Sequence, residues 1–168
     1  MVNSIITDII KILICNPHTN AKVEQRLIPT LVSILNTTQG NPDEENYQKN
    51  LSTLLTATLD LITAVLRNTK QVPLSEPLVN SFFSVINLCL KSDDTAVLQS
   101  GSDCIRAYIS KSIDQIVNWK DDKGQSALNY IVLVINHMLD PKTSENGCQN
   151  IGKLITTLMR HTAQVGLF

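Results

Sequence analysis

Hydrophobic residues recur every three or four positions along nearly the whole chain, with polar residues between them. This spacing places the apolar side chains on one face of an α-helix. Strict alternation of apolar and polar residues, which predicts β-strands, is never sustained. The chain is therefore expected to be all-α, and the pattern predicts seven helices, at residues 2–15, 21–36, 45–68, 76–91, 94–118, 126–139 and 144–163.

Segments rich in turn-forming and polar residues separate the predicted helices. TTQGNPDEEN, TKQVPLSEP and DPKTSE have the composition of loops. Asp43, Asp93 and Asp94 stand shortly before predicted helix starts. A carboxylate in that position accepts hydrogen bonds from free backbone N–H groups and meets the positive end of the helix dipole, so these residues are expected to cap helices.

The helix order repeats along the chain. The longer predicted helices begin at intervals of about 49 residues, close to the period of HEAT and armadillo arrays. Residues 77–105 combine a helix, a short acidic turn and a second helix. In the second helix Val97, Leu98, Gly101 and Ile105 fit the HEAT pattern Val-Arg-x-x-Ala-x-x-x-Leu, with Leu98 in place of the arginine. We therefore expect residues 1–168 to form a right-handed HEAT-repeat α-solenoid of roughly three and a half repeats, without an Asp–Arg ladder between repeats.

Composition excludes several classes of protein. The formal net charge is −1, which provides no overall basic field for a nucleic-acid backbone. No apolar run approaches the ~20 residues that span a bilayer, and we expect a soluble protein of the cytoplasm and nucleus. The four cysteines form no CxxC pair, so they are interpreted as small buried residues: Cys15, Cys89, Cys104 and Cys148.

The segment Ser-Gly-Ser-Asp-Cys at 100–104 is the one cluster that could suggest catalysis. A nucleophilic Ser102 or Cys104 would need a histidine base within hydrogen-bond reach. The histidines lie in other segments, at His18, His137 and His161. We favour a packing role, with Gly101 and Cys104 facing a neighbouring helix and Ser102 and Asp103 pointing outward. We therefore predict no catalytic residue.

Two further residues have both a structural and a functional interpretation. Cys15 and His18 have the spacing of half a zinc site, but no second ligand pair follows, so no metal or other cofactor is expected. Trp119 follows a long helix beside a charged loop. Trp119 is interpreted as a packing residue rather than as part of a ligand cage.

Polar residues on the second helix of each predicted pair are the candidates for facing a protein partner. Their alternative role is simply to solvate that face. They carry both signs of charge, so they offer little net attraction to a basic partner. The candidates are Asp60, Thr63, Arg67, Asp103, Arg106, Ser110, Asp114, Asn150, Lys153, Thr157 and Arg160.

Four stretches resemble nuclear transport receptors of the karyopherin-β family: RLIPTLVSIL, LDLITAVLRNTK, DDTAVLQSGSDCIRAYIS and LDPKTSE. The resemblance implies a segment from the interior of a longer, non-enzymatic arch. It also implies basic protein cargo, such as core histones or ribosomal proteins, and regulation by the small GTPase Ran. In this family the main Ran-binding repeats lie at the N-terminal end of the receptor, outside this segment.

Two other functions stay open on the sequence alone. A HEAT scaffold could assemble other proteins without a transport role. A small helical enzyme would need a deep pocket with a histidine near Cys104. A solenoid, whether of a transport receptor or of a scaffold, exposes apolar faces at the two ends of the stack, and these faces need covering. The chain is therefore expected to self-associate through its first or last helices.

Overall fold

The fold is seen in a computed structural model that describes residues 19–36, 45–70, 72–140 and 147–164, together with residues 9, 12, 13 and 16. The predicted helix at 2–15 therefore lies almost wholly outside the described residues. Within the described residues, the sole β interaction is an isolated bridge between Lys120 and Ser126. Six helices have their bounds within the described ranges, and they confirm the all-α prediction: α1 (Asn20–Asn36), α2 (Glu45–Asn68), α3 (Glu76–Lys91), α4 (Thr95–Ile116), α5 (Ala127–Met138) and α6 (Gly147–Gln164).

The helices stack in two layers. Helices α1, α3 and α5 follow one another in the first layer, and α2, α4 and α6 follow one another in the second. Each pair of successive helices, α1 with α2, α3 with α4 and α5 with α6, also makes contact across the layers. This pairing is that of an α-solenoid in which each repeat contacts its neighbours. Helix α4 lies at the centre, since it packs against α2, α3, α5 and α6.

Aromatic residues are few, and most of those described gather in one cluster between α3, α4 and the loop after α4. The ring of Phe82, which is fully buried, lies 5.3 Å from Tyr108, 5.2 Å from Trp119 and 5.4 Å from Phe83. The Tyr108 hydroxyl donates to the Leu78 carbonyl at 2.9 Å, so its polar group is satisfied inside the core. The packing role expected for Trp119 is confirmed.

Gly101 allows α4 to approach α3 closely. A Cβ added at this position would overlap with Cys89 Sγ, and it would lie 4.0 Å from Leu59 Cδ1 on α2. Cys89 and Cys104 are both buried free thiols. The predicted packing role of Gly101 and Cys104 is confirmed, while the side chains of Cys15 and Cys148 lie outside those described.

Asp94 caps α4, as predicted. Its Oδ1 accepts hydrogen bonds from the backbone N–H groups of Ala96 at 2.8 Å and Val97 at 3.1 Å. Burial alone would raise the pKa of the Asp94 carboxyl, but hydrogen bonds from Ser52 and from these two N–H groups outweigh burial and lower the pKa. Asp93 makes no such cap and lies 3.7 Å from His137 Nε2. Asp43 lies outside the described residues.

A buried carboxylate fixes the connection between α2 and α3. Glu24 on α1 is fully buried, and its two oxygens accept from the hydroxyls of Thr69 at 2.7 Å and Ser75 at 2.6 Å. The backbone of Leu74 in the same connection donates to Gln115 Oε1 on α4 at 2.6 Å. These contacts hold the end of α2 and the start of α3 against both layers.

Candidate protein-interaction site

The outer surface of α2, α4 and α6, here called the α2/α4/α6 face, carries most of the residues predicted to face a partner. Asp103 and Arg106 are partly exposed at its centre. The remaining candidates on this face are exposed: Asp60, Arg67, Ser110, Lys153 and Arg160. Asp114 is also exposed, but it lies beyond a break in the helical geometry of α4 at Ser112. Stacking therefore brings polar side chains from three helices, far apart in sequence, onto one surface.

Three of the predicted partner-facing residues are instead buried, which corrects the prediction for them. Thr63 is 6% exposed, and its hydroxyl donates to the Leu59 carbonyl one helical turn earlier. Thr157 is 8% exposed and accepts a hydrogen bond from Arg106 Nε at 3.2 Å. Asn150 is also 8% exposed. These side chains therefore contribute little to the exposed surface, although Thr157 also lines a groove on the face.

One end of the α2/α4/α6 face is acidic. Asp60 on α2 and Asp103 on α4 are near enough for their charges to interact, because α2 and α4 are adjacent in the second layer. Burial raises the pKa of Asp60, and the neighbouring Asp103 carboxylate adds to this rise. A hydrogen bond from Ser100 and the charge of Arg67 oppose it. Arg67 and Arg106 offset part of the repulsion between these two carboxylates, and a further cation would reduce what is left.

Arg106 occupies the centre of the face. Its Nη1 donates to Asp103 Oδ1 at 2.7 Å on the same helix, and its Nε donates to Thr157 Oγ1 on α6. The guanidinium group has five N–H donors in a fixed plane, so these two bonds leave other donors facing outward. Arg106 therefore connects α4 with α6 and still presents positive charge.

Two shallow grooves run beside Arg106. The groove between α2 and α4 is lined by Leu66, Arg67, Arg106, Ala107, Ser110 and Lys111. The groove between α4 and α6 is lined by Arg106, Gly152, Lys153, Thr156, Thr157 and Arg160. Lys111 is not among the predicted partner-facing residues, and its ammonium group also donates to the Thr69 carbonyl. Its role depends on the fold around the end of α2, which helical spacing does not specify.

The Ser-Gly-Ser-Asp-Cys segment forms part of the core. Ser102 is fully buried, and its hydroxyl has no hydrogen-bond partner among the described residues, so the prediction that it points outward is wrong. Burial raises the pKa of Cys104 to about 12. The thiol therefore stays protonated near neutral pH, whereas a nucleophilic cysteine reacts as the thiolate. His137, on α5, contacts the Ser92 carbonyl at 2.9 Å.

Neither a metal-binding cluster nor a membrane-spanning helix is found among the described residues. No group of three His, Cys, Asp or Glu side chains in the described ranges is arranged to hold a metal ion. Cys15 and His18, the predicted half-site that was set aside, lie outside those ranges. Among the described helices, none combines the length and apolar composition needed to cross a membrane.

Similarity to curated proteins covers most of the chain. The chain is 30% identical over 156 residues to importin-9 of Drosophila melanogaster, a match that covers 92% of the chain and 14% of that protein. It is 24% identical over 76 residues to importin subunit beta-5 of Schizosaccharomyces pombe, covering 45% of the chain and 8% of that protein. No protein-family model matches. The chain thus spans a small part of its relatives' length. The match, together with the stacked helix pairs, identifies it as a segment of a protein of the karyopherin-β family.

Proposed function

We propose that the chain is a segment of a nuclear import receptor and that its α2/α4/α6 face contributes to binding protein cargo. The observation that carries the proposal is the match to importin-9 over 92% of the chain. The two-layer stack adds a mechanism. Small rotations between successive helix pairs sum to large changes in curvature, so such a stack can wrap a partner without covalent chemistry. The receptor would act in the cytoplasm and nucleus.

The cargo proposed is basic protein, with core histones and ribosomal proteins as the specific candidates, and its release would be regulated by Ran. Within this segment, Asp60 and Asp103 form the part of the face suited to a lysine or arginine side chain. Their interaction raises the free energy of the ionised pair. A cation placed between them would lower it. Most of the attraction for a basic cargo would come from parts of the receptor outside this segment.

Binding of the chain to fluorescently labelled core histones, followed by anisotropy at low and physiological salt, tests this proposal. Saturable binding is expected at both salt concentrations. The double substitution D60K/D103K is expected to weaken it about tenfold or more, because it replaces attraction by repulsion at two positions.

The matched control is E76K/D122K, which makes the same change in net charge at exposed positions outside the α2/α4/α6 face. It is expected to alter the affinity less than twofold or so, through long-range charge alone. Equal losses in the two double variants would show that only net charge matters. An absence of saturable binding by the unaltered chain would show that this segment does not contact histone cargo.

A further inference from the structure

We infer that the two grooves on the α2/α4/α6 face form a binding site for an acidic segment of a partner protein, rich in Asp or Glu and held in an extended conformation. This inference rests on the proposed function because it concerns the same protein-binding face. It names a second class of partner there, with a charge opposite to that of the basic cargo.

Positive charge is concentrated in the grooves although the whole chain has a formal net charge of −1. Every charged side chain that lines either groove is basic: Arg67, Arg106, Lys111, Lys153 and Arg160. Among the described residues, no carboxylate lines them. Because Arg106 lines both grooves, the five cations form one continuous basic row across α2, α4 and α6. Charges of one sign along a groove raise the local concentration of a partner with the opposite sign.

The carboxylates near the basic row neutralise only part of its positive charge. Asp103 pairs with Arg106, and the charge of Asp60 acts on Arg67. Lys153 and Arg160 are exposed on α6, and in the described part of the chain neither side chain makes a hydrogen bond or ion pair. The arginines also supply planar donor groups, which bind carboxylates through two parallel hydrogen bonds.

The spacing of the row suits an extended peptide. Packed helices lie about 8–10 Å apart, and a chain in the extended polyproline II conformation has three residues per turn and advances about 3.1 Å per residue. A peptide crossing the face would therefore present a side chain to each successive helix about every third residue. Most of the uncharged lining residues are small or short, so the peptide backbone can approach the helices: Ala107, Ser110, Gly152, Thr156 and Thr157, with Leu66 as the one larger side chain in these two linings.

The face is less suited to a nucleic acid. Surfaces that bind single strands interleave aromatic side chains with basic ones so that bases can stack. The aromatic side chains described in contact with one another lie in the cluster around Phe82 and at Tyr130, away from the grooves. Carboxylates on an extended protein segment bind to basic side chains without aromatic stacking.

The test is the binding of a fluorescein-labelled peptide with Glu at every third position, followed by anisotropy at low and physiological salt. We expect saturable binding of this peptide to the unaltered chain. The affinity of the R67Q/R160Q variant is expected to be about tenfold lower, because two exposed charge contacts are removed. The control K91Q/K120Q removes the same charge from exposed positions outside the grooves and should preserve the affinity. A peptide with Gln in place of Glu should not bind.

Each alternative result would overturn the inference. These are a lack of saturable binding to the Glu peptide, equal losses in R67Q/R160Q and K91Q/K120Q, or tighter binding of a single-stranded oligonucleotide of equal charge. Circular dichroism of each variant confirms that the helices are retained. Histone binding without peptide binding would contradict this inference alone, and peptide binding without histone binding would contradict only the histone proposal.

Discussion

Replacing Phe82 with alanine is expected to reduce the free energy of unfolding by about 3–5 kcal/mol. Phe82 is fully buried, and its ring contacts three other aromatic rings that belong to α3, α4 and the loop after α4. Truncation would leave a cavity between the two layers, and the surrounding rings cannot all move to fill it. Domains are stable by only about 5–15 kcal/mol, so this one change would remove much of the stability of the fold.

Urea denaturation followed by circular dichroism measures this effect. Phe83→Ala is the matched control, since it removes the same group from the next position, where the ring is only partly buried and contacts Phe82 and Tyr130. It is expected to cost about half as much, or less, because less apolar surface returns to water. Comparable losses in the two variants would contradict the central position of Phe82 in the core.

Gly101→Ala is expected to destabilise the chain by about 1–3 kcal/mol, because it adds a methyl group where α4 and α3 are already in close contact. At a helical position with open space, the same substitution stabilises by up to about 1 kcal/mol. The new methyl group would overlap with Cys89 Sγ, which is buried and has little room to rotate away. The sign of the effect therefore reports how closely the two helices approach.

A double-mutant cycle with Cys89→Ala isolates this contact. Cys89→Ala removes the sulfur atom that the new methyl group would meet, so Gly101→Ala should be close to neutral, or stabilising, in that background. The coupling between the two substitutions is expected to be about 2 kcal/mol. Additive effects would show that the new methyl group does not overlap with Cys89, and so would contradict the close approach of α4 to α3.

Much of the fold follows from the sequence because the helical pattern is strong. Residues such as Val97, Leu98 and Ile105 repeat at the spacing of one helix face, and all three are buried. Helical spacing does not, however, specify how much of a helix is covered. Since α4 contacts helices on several sides, Ser102 is buried although it lies next to the predicted apolar face.

The errors at the candidate site have a related cause. The polar character of threonine predicts a surface position, but its hydroxyl can bond to the carbonyl one turn earlier in its own helix and so be buried at little cost. Thr63 and Thr157 both do this. Glu24 and Lys111 had no sequence signal, because their partners at Thr69 and Ser75 lie 42 to 51 residues away. The basic row likewise appears only once the helices are stacked.

The most direct test of cargo binding at the α2/α4/α6 face is nuclear magnetic resonance mapping of the isotopically labelled chain during titration with unlabelled core histones. We expect saturable changes in amide chemical shift that concentrate in α2, α4 and α6, with the largest near Asp60 and Asp103. Changes confined to α1, α3 and α5, or shifts that never saturate, would contradict the α2/α4/α6 face as the cargo-binding surface of this segment.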